Sequence, residues 1–333
     1  MMFRTKKRNP LPALLALLVL AAGALFYHVY TPLGQTGLPL EFTVEPGHGL
    51  RQTAAGLKQA GVLQDDWGFV QLARLMGKTK KIKFGTYRLE KPASMVEVLE
   101  LITSGRFAQS QVTLVEGISF RELRKLLDAH PKLRHDSSAL TEQEILQRLG
   151  ASESAAEGLF FPDTYIFAIG SSDLAVLQRA YTTMHKKLEM EWAQRDLDLP
   201  FATPYEALTL ASVVEKETGK VEDRPMIAAV FINRLRRGMR LQTDPTVIYG
   251  LGEAFDGNLR KRDLKADTPY NTYTRGGLPP TPIAMPGLAA LHAVLHPPKS
   301  NVLYFVARGD GSSAFSNSLK EHNKAVSQYQ LKK

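Results

Sequence analysis

The chain has 333 residues, room for about two domains and a large core. Hydrophobic content of 44% and charged content of 23% are ordinary for a globular protein, and a net charge of +9 suits an anionic polymer or membrane surface but is too diffuse to indicate nucleic acid. Cysteine is absent, which excludes disulfides, thiolate nucleophiles and Cys-ligated zinc and fits an exported bacterial protein.

Residues 1–10 form a basic tail carrying Arg4, Lys6, Lys7 and Arg8. No formally charged side chain follows until Glu41. Leu11 to Tyr30 is dominated by Leu, Ala and Val and is about long enough to cross a bilayer. The basic cluster predicts a single-pass anchor with the N-terminus cytoplasmic and the bulk outside. Ala22-Gly23-Ala24 matches a signal-peptidase site, but the apolar run continues past it, so an uncleaved anchor is expected. Residues 31–40 read as a linker.

A small subdomain is expected over 41–110. Glu41 to Leu50 reads as a strand and turn, Arg51 to Gly61 as a helix, Lys83 to Leu89 as a strand and Ser94 to Ser104 as a capped helix. The strand, turn and polar-started helix resemble the LysM-type glycan-binding module, and a generic β-α scaffold explains the same pattern. Tyr87 and Trp67 are candidate sugar-stacking residues and equally candidate core residues. The unit recurs at Val112 to Leu127, where Ser119 and Glu122 have capping-box spacing. The remainder, 111–330, reads as a larger, mostly helical α+β domain, so the fold class is α+β throughout. Glu157 to Tyr165 is too apolar for an idle loop and implies packing of Phe160, Phe161 and Tyr165.

Within this domain, Leu208 to Gly219 reads as an apolar helix ending in Glu215 and Glu217. Glu215 lies on the line of Leu208, Ala211 and Ser212, where desolvation would raise its pKa. The competing reading is a frayed, solvated helix end. Asn233 lies on the next helix. Leu241 to Gly250 follows, with Gln242 and Thr243 before a helix start at Asp244 as N-cap and Pro245, and Tyr249 one turn on. Tyr270 to Pro280 is an irregular loop whose Asn271 and Tyr273 offer an amide and a stacking ring. No phosphate loop, dinucleotide motif, nucleophile elbow or zincin pattern is present, so no cofactor and no metal are expected. His292 and His296 are four apart but have no Glu between them in a zincin spacing. A carboxylate pair amid Asn, Gln, Thr and Tyr suits glycosidic bond cleavage.

Gly158 to Tyr165, Val214 to Thr218, Phe231 to Leu235, Leu241 to Gly250, Tyr270 to Tyr273 and Gly277 to Pro280 resemble the endolytic murein transglycosylase family, also called MltG or YceG-like. The resemblance spans almost the whole chain. It implies lyase cleavage inside peptidoglycan glycan strands, leaving 1,6-anhydro-N-acetylmuramic acid ends, with one catalytic glutamate that falls on Glu215. It leaves Glu217, Asn233, Gln242, Thr243, Asp244, Tyr249, Asn271 and Tyr273 as candidate substrate-binding residues. Glycan strands, membrane lipid and peptidoglycan synthases are the implied partners, and the bacterial inner membrane is the implied location. A non-catalytic glycan tether for a synthase is the alternative. A pyridoxal-phosphate lyase lacks a visible phosphate site and Schiff-base lysine.

Overall fold

The computed structural model describes residues 11–331, and the basic tail expected at 1–10 lies outside the described residues. The chain divides into two compact units. One holds the chain up to Ser110 together with Phe167–Gly170, and the other holds Gln111–Ile166 and Ser171 onward.

In the first unit, helix α1 spans Leu11–Tyr30. Its described side chains are exposed except Val29, which joins the unit's core. Among the described residues no helix is long and apolar enough to cross a membrane. Strand β1 (Leu40–Val44) precedes helices α2 (Leu50–Gln59) and α3 (Asp66–Leu75), strand β2 (Gly85–Leu89) and helix α4 (Met95–Ser104). The two strands pair antiparallel with Phe42 opposite Tyr87. Tyr87 is fully buried, and its hydroxyl donates to Lys83 O at 2.7 Å and Ile102 O at 3.1 Å. It is therefore a core residue and not a stacking platform, whereas Trp67 is 71% exposed.

Strands β3 (Gln109–Thr113) and β4 (Thr164–Ala168) pair with each other. Helices α5 (Phe120–Asp128) and α6 (Glu142–Leu149) lie between them in sequence. Ser119 and Glu122 close their capping box in both directions, at 2.7 and 3.3 Å. The rest of the second unit is helices α7 (Asp173–Ala193), α8 (Pro204–Glu217), α9 (Arg224–Arg236), α10 (Asp244–Leu251), α11 (Lys261–Lys265) and α12 (Leu288–Leu295), strands β5 (Tyr304–Ala307) and β6 (Ser313–Ser316), and helix α13 (Leu319–Tyr329). Its centre is α8 packed on α9 and α12. The antiparallel β5–β6 hairpin sets Phe305 opposite Phe315, and both pack with Val230 of α9 and Val302. Helix α10 is capped one residue earlier than its sequence suggests. Thr243 is the N-cap and Asp244 the first helical residue, so Pro245 takes the second position.

Candidate active site

Helix α8 starts cleanly because Thr203 accepts from Glu206 N–H and Pro204 needs no donor of its own. Every residue from Ala207 to Glu215 is buried, so the helix is clasped on all sides up to its last turn. Glu215 and Glu217 are two positions apart, which turns them about 200° from each other. They enter different surroundings.

The side chain of Glu215 is only 4% exposed. It accepts from Arg224 Nη2 at 2.6 Å and from Gly287 N–H at 2.9 Å. Arg224, itself buried at the start of α9, also reaches Glu116 at 3.4 Å. Gly287 caps α12, and any side chain there would collide with the Glu116 carboxylate. Burial raises the Glu215 pKa, while the Gly287 N–H and the Arg224 charge oppose the rise. Its two oxygens thus each meet one protein donor, an amide and a guanidinium.

Glu217, by contrast, is partly accessible at the helix end. It accepts a hydrogen bond from the Thr243 hydroxyl. Desolvation raises its pKa to about 7, with Asp244 adding to the rise and the Thr243 hydroxyl and Arg234 opposing it. With that value about half of these carboxyls hold a proton at neutral pH, a poise suited to general acid work.

Around Glu217 the polar loop residues converge. Thr243 N–H donates to Thr272 Oγ1 at 3.1 Å, and the Tyr273 hydroxyl donates to Asp244 at 2.6 Å. Burial and the adjoining Asp244 raise the Tyr273 pKa, so it stays a neutral donor. Gln242 is exposed and has φ of 49°, the one positive value at a non-glycine among the described residues. Such strained backbone concentrates where a side chain must be aimed. Two other candidates face inward. Asn233 donates to Ser300 O and Val302 O at 2.9 and 3.0 Å. Asn271 is fully buried and donates to Asp263 O, Leu264 O and Ala266 O. Both are spent holding backbone and are not free for a ligand.

Tyr249 stands apart, edge-on to Tyr270 at 4.9 Å and beside Glu157. These three line a cleft of about 1150 Å³ that Lys216 and Pro245, neighbours of the two acidic clusters, also border. The volume exceeds the roughly 300–1,000 Å³ of small-ligand pockets, as a segment of polymer requires. Glu157 caps α5 by accepting from Phe120 N–H at 3.0 Å, and burial lifts its pKa to about 7. Arg224 and Glu157 were not singled out from sequence. Their only signal was a charged residue beside a helix-start proline and an acid opening an apolar loop.

The second unit thus holds a partly accessible carboxyl raised by desolvation and bonded to Thr243, and a cleft lined by Tyr249, Tyr270 and Glu157, groups that suit acid chemistry on a polar substrate. The YceG-like family model matches residues 42–328, and the chain belongs to that family. It is 30% identical over 307 residues to the endolytic murein transglycosylase of Bacillus subtilis, covering 87% of this chain and 84% of the relative. An endolytic murein transglycosylase of Streptococcus pneumoniae is 27% identical over 86% of this chain, which spans 57% of that longer protein. The crystal structure of a YceG-like protein from Listeria monocytogenes aligns with a TM-score of 0.54 and 28% identity, over 85% of this chain and 97% of that one.

Proposed function

We propose that the chain is a membrane-anchored lyase that cleaves MurNAc–GlcNAc bonds within peptidoglycan strands and leaves 1,6-anhydro-MurNAc ends, with Glu217 as the acid. The observation that carries this reading is the environment of Glu217: a carboxyl at the end of α8, raised by desolvation and bonded to Thr243 in the polar cluster. The activity named for the relatives supports the substrate class. In the step, the Glu217 proton passes to the glycosidic oxygen as the C1–O4 bond breaks. The resulting carboxylate takes the proton from the C6 hydroxyl as O6 closes on C1, so no water enters the product. Asp244 and Tyr273 hold sugar hydroxyls, and Tyr249 and Tyr270 offer ring faces along the cleft. Glu215 is a positioning residue that fixes Arg224 and the Gly287 turn.

The charge-free run from Leu11 to Tyr30 behind the basic cluster is the basis for proposing an anchor in the inner membrane, with the rest of the chain outside the cytoplasm, close to peptidoglycan synthases. The strand–helix–helix–strand order of the first unit and the exposed Trp67 support a LysM-like glycan contact there. The deciding experiment incubates purified protein with glycan strands. Wild type and Glu215→Gln should release anhydro-ended fragments, and Glu217→Gln should release none. Activity in Glu217→Gln but not in a folded Glu215→Gln returns the acid role to Glu215. No fragments from wild type would favour a tether that binds glycan without cleaving it.

A further inference from the structure

Away from the cleft, helices α7 and α12 bring together three side chains that sequence spacing did not connect. Glu191 lies near the end of α7, His292 in the last turn of α12, and His296 at the C-cap of α12. Glu191 Oε2 is 2.9 Å from His292 Nδ1 and 3.7 Å from His296 Nε2. One ligand atom from each of the three falls within 4.8 Å of the others. A tetrahedral ion with bonds of about 2.0–2.2 Å sets its ligand atoms about 3.3 Å apart. Modest ring rotations reach that spacing.

A second observation lies on the far side of His296. Its Nδ1 faces Asp196 Oδ1 at 3.6 Å. Asp196 is held there because its N–H donates to Leu295 O at 3.0 Å. The nitrogen not offered to an ion thus meets a carboxylate, the arrangement that orients metal-binding imidazoles. The cluster is also open on one side. The His292 side chain is 63% exposed, against 21% for Glu191 and 23% for His296. Solvent can supply a fourth ligand. Two imidazoles and one carboxylate suit zinc and its neighbours over magnesium or calcium.

We propose that Glu191, His292 and His296 form a binding site for a divalent transition-metal ion, which staples α7 to α12. The opposite end of α12 is Gly287, whose N–H holds Glu215, so the ion braces the scaffold and does no chemistry on the glycan.

The test titrates Zn²⁺ into metal-stripped full-length protein in detergent, followed by calorimetry and thermal unfolding, with Co²⁺ as an absorbing substitute. The expected result is saturable binding of one ion, a rise in Tm, and visible Co²⁺ bands of low-symmetry, four- or five-coordinate type. His292→Ala and Glu191→Gln should each unfold like the metal-free wild type and lose at least about tenfold in affinity. Asp196→Asn should lose about 10- to 100-fold. Absence of saturable Zn²⁺ binding overturns the proposal. So does binding that survives unchanged in both His292→Ala and Glu191→Gln.

Discussion

Glu215 and Glu217 share a helix and a residue type, yet they meet different partners. Glu215 is buried where its apolar line in the sequence places it, but Arg224 then claims its charge. Replacing Arg224 by Ala strands a buried carboxylate and should cost about 3–5 kcal/mol in denaturant unfolding. Glu217 is the residue proposed as the acid. Its proton is present below about pH 7 and lost above it, so kcat/KM should fall about tenfold per pH unit beyond about 7. Stability follows the same proton. The folded carboxyl holds it to about 7, while an unfolded glutamate releases it near 4.5. The folded state binds more protons between those values, so the free energy of unfolding should decline as pH rises from 4.5 to about 7. Glu157, also raised to about 7, adds a term of the same sign. Glu217→Gln should flatten this slope while lowering kcat by about 10²-fold or more.

Elements whose signals are local were legible in the sequence. Ser119 and Glu122 announce α5, and Ser94 with the apolar run behind it announces α4. Helix α3 and strand β4 were hidden for physical reasons. Helix α3 carries Gly68 in its first turns, which weakens its helical signal. Strand β4 shows alternating burial, but its outward Ile166 is apolar and 51% exposed, so hydropathy does not alternate. The site was less legible than the elements. Glu217 meets Thr243 26 positions away, and Glu215 meets Gly287 72 positions away, contacts that no spacing rule reaches. Asn271 shows the same limit from the other side. A polar residue in a polar loop reads as a ligand contact, but three backbone carbonyls consume its amide. Asn271→Ala should therefore destabilise the fold by about 2–4 kcal/mol in urea unfolding, since it leaves buried carbonyls unpaired. Activity lost in that variant should recover under conditions that restore folding.

For the whole molecule, each unit carries one part of the account. The first holds the exposed α1 and the glycan contact proposed for it, and the second holds α8 with its two acids. A chain begun at Tyr27, which keeps Val29 in the core, should leave the membrane fraction and remain folded by circular dichroism. Retention of that truncated chain in washed membranes would count against the anchor. The lyase claim rests on the fate of one oxygen atom, and mass spectrometry of glycan fragments produced in ¹⁸O-labelled water reads it directly. The account predicts wild-type fragments whose muramic acid ends lack one water and carry no ¹⁸O, and none of these from Glu217→Gln. Ends that carry ¹⁸O would mean that water is the nucleophile and would contradict it.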